Sequence, residues 1–185
     1  AIDPQIDPDQ IRYSHLLLKL DRKRGCVDFH IQGPNETLPE SIEELHQMGD
    51  QYWLFALGRE LDDAILHLSF NETELGTWVF YTEGNLSDVV DYEQFLIDQS
   101  DDWLAREIIL FLKTVLKRID LSARSLISLI EPGSCFAGFL LELVLASDRS
   151  YMLEGSFEDS EEPAPEIIPT SMNFGSLIMC NGLTR

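Results

Sequence analysis

Hydrophobic positions along the chain alternate between short runs and helical stripes. Leu16–Leu20 and Cys26–Ile31 are short apolar runs either side of Asp21-Arg22-Lys23-Arg24-Gly25, the pattern of a hairpin. Pro39-Glu40-Ser41 marks a helix start. Ile42, Leu45, Trp53, Leu54, Leu57 and Leu61 then recur at helical spacing, with a break near Gly49. Ile65–Phe70 and Trp78–Thr82 read as strands separated by a polar turn, with His67 alternating between Leu66 and Leu68 on the first. The clearest helix is Asp101–Ile119, where Leu104, Ile108, Phe111, Leu112, Val115 and Ile119 form one stripe. Asp101-Asp102 at its start and Lys117-Arg118 at its end suit the helix dipole. A buried strand over Ser125–Ile130 follows, then a turn of small residues, a helix over Phe139–Ala146 and a further apolar segment opened by Asp148. Strand-then-helix order predicts an α/β fold with at least part of the sheet parallel. No internal repeat is visible.

Composition narrows the partners. The 185 residues are one domain's worth of chain, with 44% hydrophobic and 25% charged residues, ordinary for a globular protein. The net charge of −20 is not ordinary. It argues against nucleic acid and anionic membranes, which both need a cationic footprint. An anionic small ligand needs only a few local cations, and Arg22-Lys23-Arg24 and Lys113…Lys117-Arg118 are the main clusters. Cys26, Cys135 and Cys180 suggest neither a disulfide framework nor a metal site. Asn35-Glu36-Thr37, Asn71-Glu72-Thr73 and Asn85-Leu86-Ser87 fit the glycosylation pattern, with no signal peptide before them. The apolar runs around Leu140–Ala146 are too short to span a bilayer, and a reduced cytoplasm is the expected setting. Residues 1–14 (loose, acidic and proline-bearing) read as a linker or tail, and 15–185 as one incomplete domain. Both ends look cut, so a fragment is the simplest reading.

Candidate chemistry gathers near one turn. Gly133, Ser134, Cys135, Ala137 and Gly138 lie between a strand and a helix, where small residues let backbone N–H groups approach developing negative charge. Glu142 lies within the apolar helix FLLELVL. It is either a functional carboxylate or the polar edge of a helix meeting solvent. Glu166, in Pro165-Glu166-Ile167, belongs to an acidic tract with Glu154, Glu158, Asp159, Glu161 and Glu162, the pattern of a solvated loop. Cys135 has no His near it in sequence and reads as a small hydrophobe in a tight turn. Trp53, Trp78 and Trp103 are most simply core or interface residues.

The run LIEPGSCFAGFLLELVLASDRSYML (Leu129–Leu153) resembles the second oxyanion-hole segment of the crotonase (enoyl-CoA hydratase/isomerase) superfamily, NGxAxGGGxELAxxCD. Counted back from Asp148, Glu142 falls on the family's first catalytic glutamate and Gly138 on the first glycine of its triplet, followed here by Phe139-Leu140. Glu166 resembles the second glutamate, four residues further from Asp148 than usual. Glu83, before Gly84-Asn85-Leu86, takes the place of the FxAGADL segment, without its Ala-Gly-Ala or its Asp. RELDDAILHL (Arg59–Leu68), NETELGTW (Asn71–Trp78) and MNFGSLIMCNGLTR (Met172–Arg185) are similar to one branch, the benzoyl-CoA-dihydrodiol lyases. The segment looks like the beginning and middle of the second of two crotonase-like halves.

The resemblance implies a fold of repeated ββα units and a CoA thioester as substrate. Its oxyanion would sit on backbone donors around Glu83, Gly133, Ser134, Cys135, Gly138 and Phe139, with Glu142 and Glu166 moving protons. The implied outcome is hydrolytic opening of 2,3-epoxybenzoyl-CoA, with release of formate and a semialdehyde CoA thioester in aerobic benzoate breakdown. No metal or redox cofactor is implied, since CoA is part of the substrate, and the intact protein is expected to be a homo-oligomer. Two alternatives stand beside it: a non-catalytic crotonase-like domain serving packing and assembly, and a plain enoyl-CoA hydratase or isomerase.

Overall fold

A computed structural model describes residues 2–157 and 163–185. One seven-stranded sheet runs in sequence order: β1 (Gln5–Asp7), β2 (Gln10–Arg12), β3 (Leu16–Asp21), β4 (Cys26–Gln32), β5 (Thr77–Glu83), β6 (Ser125–Ile130) and β7 (Arg149–Met152). The first four strands pair antiparallel and β4 to β7 pair parallel. The α/β class read from the sequence is the class observed.

Helices make the parallel crossovers. Between β4 and β5 lie α1 (Ile42–Met48) and α2 (Trp53–Asn71); between β5 and β6, α3 (Leu86–Asp98) and α4 (Trp103–Asp120); between β6 and β7, α5 (Gly138–Ala146). Ser41 caps α1 by accepting from the Glu44 amide, and Gly49 ends it, where the break was expected. Asp102 caps α4 by accepting from Leu104 and Ala105, and Lys117 and Arg118 close it. Alternation along the strands turns Leu16, Leu18, Val27, Phe29, Ile31, Trp78 and Phe80 into a core shared with α2 and α4. Phe29 packs on Trp78 and Phe80 at centroid distances of 5.3 and 5.0 Å.

Two expectations are corrected. Ile65–Phe70 is not a strand but the last turns of α2, because Leu61, Ala64, Ile65 and Leu68 continue one buried stripe at helical spacing. His67 is therefore a helical residue, 3.3 Å from the Asn71 amide one turn on. Within the stretch read as a linker, Gln5–Asp7 and Gln10–Arg12 are paired strands, tied on by backbone pairing and by Ile11, which is 1% exposed. The polar outer residues of both strands hide the alternation.

Candidate functional site

Parallel strands leave their loops at the carboxyl ends, where open α/β sheets bind ligands. β5 opens there into Glu83-Gly84-Asn85 and β6 into Glu131–Ala137, and the two loops meet, the Gly84 amide donating to the Gly133 carbonyl at 3.0 Å. Gly133 takes φ +83° to make the turn, which Ser134 closes by accepting from the Glu131 amide at 2.9 Å. Gly84, Asn85, Gly133, Ser134, Pro165 and Glu166 line a cleft of about 250 Å³. The structure thus brings Glu166, exposed, beside the Gly133–Ser134 turn, with Glu83 exposed at the end of β5. Glu158, Asp159, Glu161 and Glu162, the rest of that acidic tract beyond Glu154, lie outside the described residues.

The other candidates are buried behind this turn. Cys135 is 0% exposed, its amide donates to Thr82 Oγ1 at 2.9 Å, and burial pushes its thiol up to about 11. Such a thiol is a packing group, as the sequence suggested. The amides of Ser134, Cys135, Ala137 and Gly138 that the sequence offers to a ligand, and that of Phe139, are already engaged. Ser134 donates to Glu131 O (2.9 Å), Ala137 to Cys135 O (2.9 Å) and Gly138 to Ile168 O (3.0 Å). The Phe139 amide donates at 2.6 Å to the carboxylate of Glu93, a residue of α3 that is 0% exposed. Gly138 sits at φ +46°, and a Cβ there would overlap that carboxylate.

Glu93 is the functional-looking residue that the sequence reading missed, and no helix was assigned over its segment. Its carboxylate caps α5 in place of a local side chain: the N-cap, Ala137, has none to offer, and an anion at a helix N-terminus is favourable. Thr170 donates its hydroxyl to the second Glu93 oxygen. Burial pushes the Glu93 carboxyl above its ordinary range, the bonds from Thr170 and Phe139 oppose the shift, and the nearby Glu142 adds to it. The available signal was a glutamate among Val89, Tyr92 and Leu96 on the buried stripe of α3.

Glu142 is 1% exposed, and both of its oxygens are taken. Asn173 donates to one at 2.7 Å and Arg185 to the other at 2.7 Å. Arg185 also holds Asp120 through a two-pronged bond (2.9 and 2.5 Å) and the Leu177 carbonyl at 2.7 Å. Burial disfavours the charge on Arg185, but its bonds to Asp120 and Glu142 outweigh that and hold it more firmly protonated. Asn173 completes the set by donating to Gly138 O at 2.9 Å and accepting from the Thr170 amide at 2.8 Å. The Thr170–Arg185 segment is thereby stitched to α5 by groups that all have partners.

No protein-family model matches the chain. Over 185 residues it is 39% identical to a benzoyl-CoA-dihydrodiol lyase from Aromatoleum evansii, covering 100% of this chain and 32% of that protein. The chain is thus similar to one part of a benzoyl-CoA-dihydrodiol lyase. It spans about a third of the length of that lyase, and the alignment takes in the sheet, the turn and the Glu142–Arg185 region alike. Among solved structures, an enoyl-CoA hydratase from Geobacillus kaustophilus HTA426 is 13% identical at TM-score 0.49, covering 82% of this chain and 48% of that one. An enoyl-CoA hydratase from Bacillus halodurans is 16% identical at TM-score 0.41, covering 80% and 48%. Among the described residues, no helix is long and apolar enough to cross a membrane.

Proposed function

We propose that this chain is part of an enzyme that hydrolytically opens 2,3-epoxybenzoyl-CoA, releasing formate and a semialdehyde CoA thioester in aerobic benzoate breakdown. Within that enzyme, this segment serves packing and assembly rather than chemistry. CoA enters as part of the substrate, no metal or redox cofactor takes part, and the intact protein works in the cytoplasm as a homo-oligomer.

The observation that carries the second claim is the Glu93 carboxylate on the Phe139 amide. An oxyanion hole works by offering preorganised N–H donors to a developing negative oxygen. Here the buried carboxyl group of Glu93 already takes the amide at the start of α5, so an enolate oxygen could reach that donor only by displacing it. Glu142, the aligned acid–base residue, has both oxygens committed to Asn173 and Arg185. The geometry is that of a helix terminus satisfied by its own protein. The homology to a named lyase supports the first claim, and the sequence resemblance supplies the substrate.

Formate release from 2,3-epoxybenzoyl-CoA by the intact protein tests both claims. Turnover is expected in the wild type, and Glu142→Gln and Glu166→Gln are each expected to retain it within about fivefold, whereas removing a general acid or base costs on the order of 10²–10⁴-fold. A loss of that size with an unchanged unfolding midpoint overturns the non-catalytic assignment. Absence of any formate from the wild type overturns the lyase assignment.

A further inference from the structure

At the opposite end of the strands, the balance of charge inverts. The chain carries 33 Asp and Glu against 13 Lys and Arg. Yet a cleft of about 610 Å³ between the C-terminal halves of α2 and α4 is lined by Lys117, Arg118 and Arg124, with no Asp or Glu among its described lining residues. Complementing the dipole at the end of α4 accounts for Lys117 and Arg118. It does not account for Arg124, which lies beyond the turn that follows the helix.

Arg124 is held in an unusual way. Ala123 before it adopts φ +54°, a conformation uncommon for a residue with a Cβ and concentrated at functional sites. One Arg124 nitrogen donates to the Thr73 carbonyl at 2.9 Å, while its Nε is buried without an acceptor. Arg118 is paired with Asp62 at 2.7 Å, which leaves Lys117 and Arg124 as the cations free for a ligand among the described residues. Beside them stand two large apolar side chains, Phe70 at 78% exposed and Leu121 at 70%. Exposed apolar groups next to uncompensated cations suit a molecule that is anionic at one end and flat and apolar at the other.

We propose that this cleft binds a nucleotide-type organic phosphate, its phosphate oxygens on Lys117 and Arg124 and its base against Phe70 and Leu121. Lys supplies a point charge and Arg a directed donor, a pairing suited to phosphate. An aromatic face accepts a stacked base without demanding a sequence of hydrogen bonds. The site is separate from the turn around Gly133 and stands whether or not the lyase reading does.

Calorimetric titration of the intact protein with ADP, adenosine and inorganic phosphate tests it. Saturable ADP binding is expected, tighter than either adenosine or phosphate alone. It should weaken at least about tenfold in Lys117→Gln, a surface change that leaves the fold intact, and in Arg124→Gln. Phe70→Ala should weaken ADP while leaving phosphate unchanged. No saturable ADP binding at millimolar concentration, equal binding of ADP and phosphate, or ADP binding indifferent to Lys117→Gln overturns the proposal.

Discussion

At the residue scale, the decisive group is Glu93, because it turns a helix terminus that would otherwise be open to a ligand into an internal contact. Its carboxylate replaces the missing side-chain cap of α5 and takes up the Phe139 amide at 2.6 Å. Glu93→Ala should therefore destabilise the fold by about 2–4 kcal/mol in urea denaturation, combining a cavity with an unsatisfied buried amide. Gly138→Ala should cost about 2–4 kcal/mol, since it forces φ +46° on a residue with a Cβ and drives that Cβ into the Glu93 carboxylate. The pH dependence has a definite sign. The folded-state pKa of Glu93 is raised above the ordinary 4.5, so its contribution to stability is fully present below that value and is lost as pH rises through the folded pKa. Glu93→Gln keeps an acceptor for Phe139 and removes the titration. Its stability relative to wild type should improve as pH rises from about 4.5, and a difference flat across that range contradicts the burial of the carboxylate.

At the element scale, α4, β6 and α5 were legible in the sequence because each carries one uninterrupted pattern: a six-residue stripe in α4, a short apolar strand, a dense apolar helix. Leu112→Ala on the stripe of α4, 0% exposed, should cost about 2–5 kcal/mol. The end of α2 was misread because Leu66-His67-Leu68 also fits a period of two, and only the partners of Leu61, Ala64 and Ile65 decide between the periods. β1 and β2 left little trace, since backbone pairing does not depend on apolar side chains. Glu93 was illegible as a site residue because its acceptor role joins positions 46 residues apart. The contact of Glu142 with Arg185 spans 43. Removing one member of such a buried ion pair leaves the other uncompensated, so Arg185→Met should destabilise by about 3–5 kcal/mol. Adding Glu142→Leu should recover part of that loss, and additive losses in the double-mutant cycle would contradict direct coupling.

At the scale of the whole molecule, the sheet keeps two clefts apart. The carboxyl ends of β5 and β6 carry the turn that the sequence marked as chemical, with Glu166 exposed beside it and Glu142 locked behind it. The amino ends carry the cationic cleft of Lys117 and Arg124, in a chain whose net charge is −20. The fold class was readable from strand–helix order, and the likeness to the lyase from segments such as Asn71–Trp78 and Met172–Arg185. The state of the turn was not, because a motif records which residues surround an amide but not which acceptor occupies it. The measurement that tests this most directly is a crystal structure of the intact protein with bound benzoyl-CoA, read at the Phe139 amide. The account predicts Glu93 still bonded to that amide, with the thioester carbonyl elsewhere. A thioester oxygen within hydrogen-bond distance of Phe139 N, with Glu93 displaced, would contradict it.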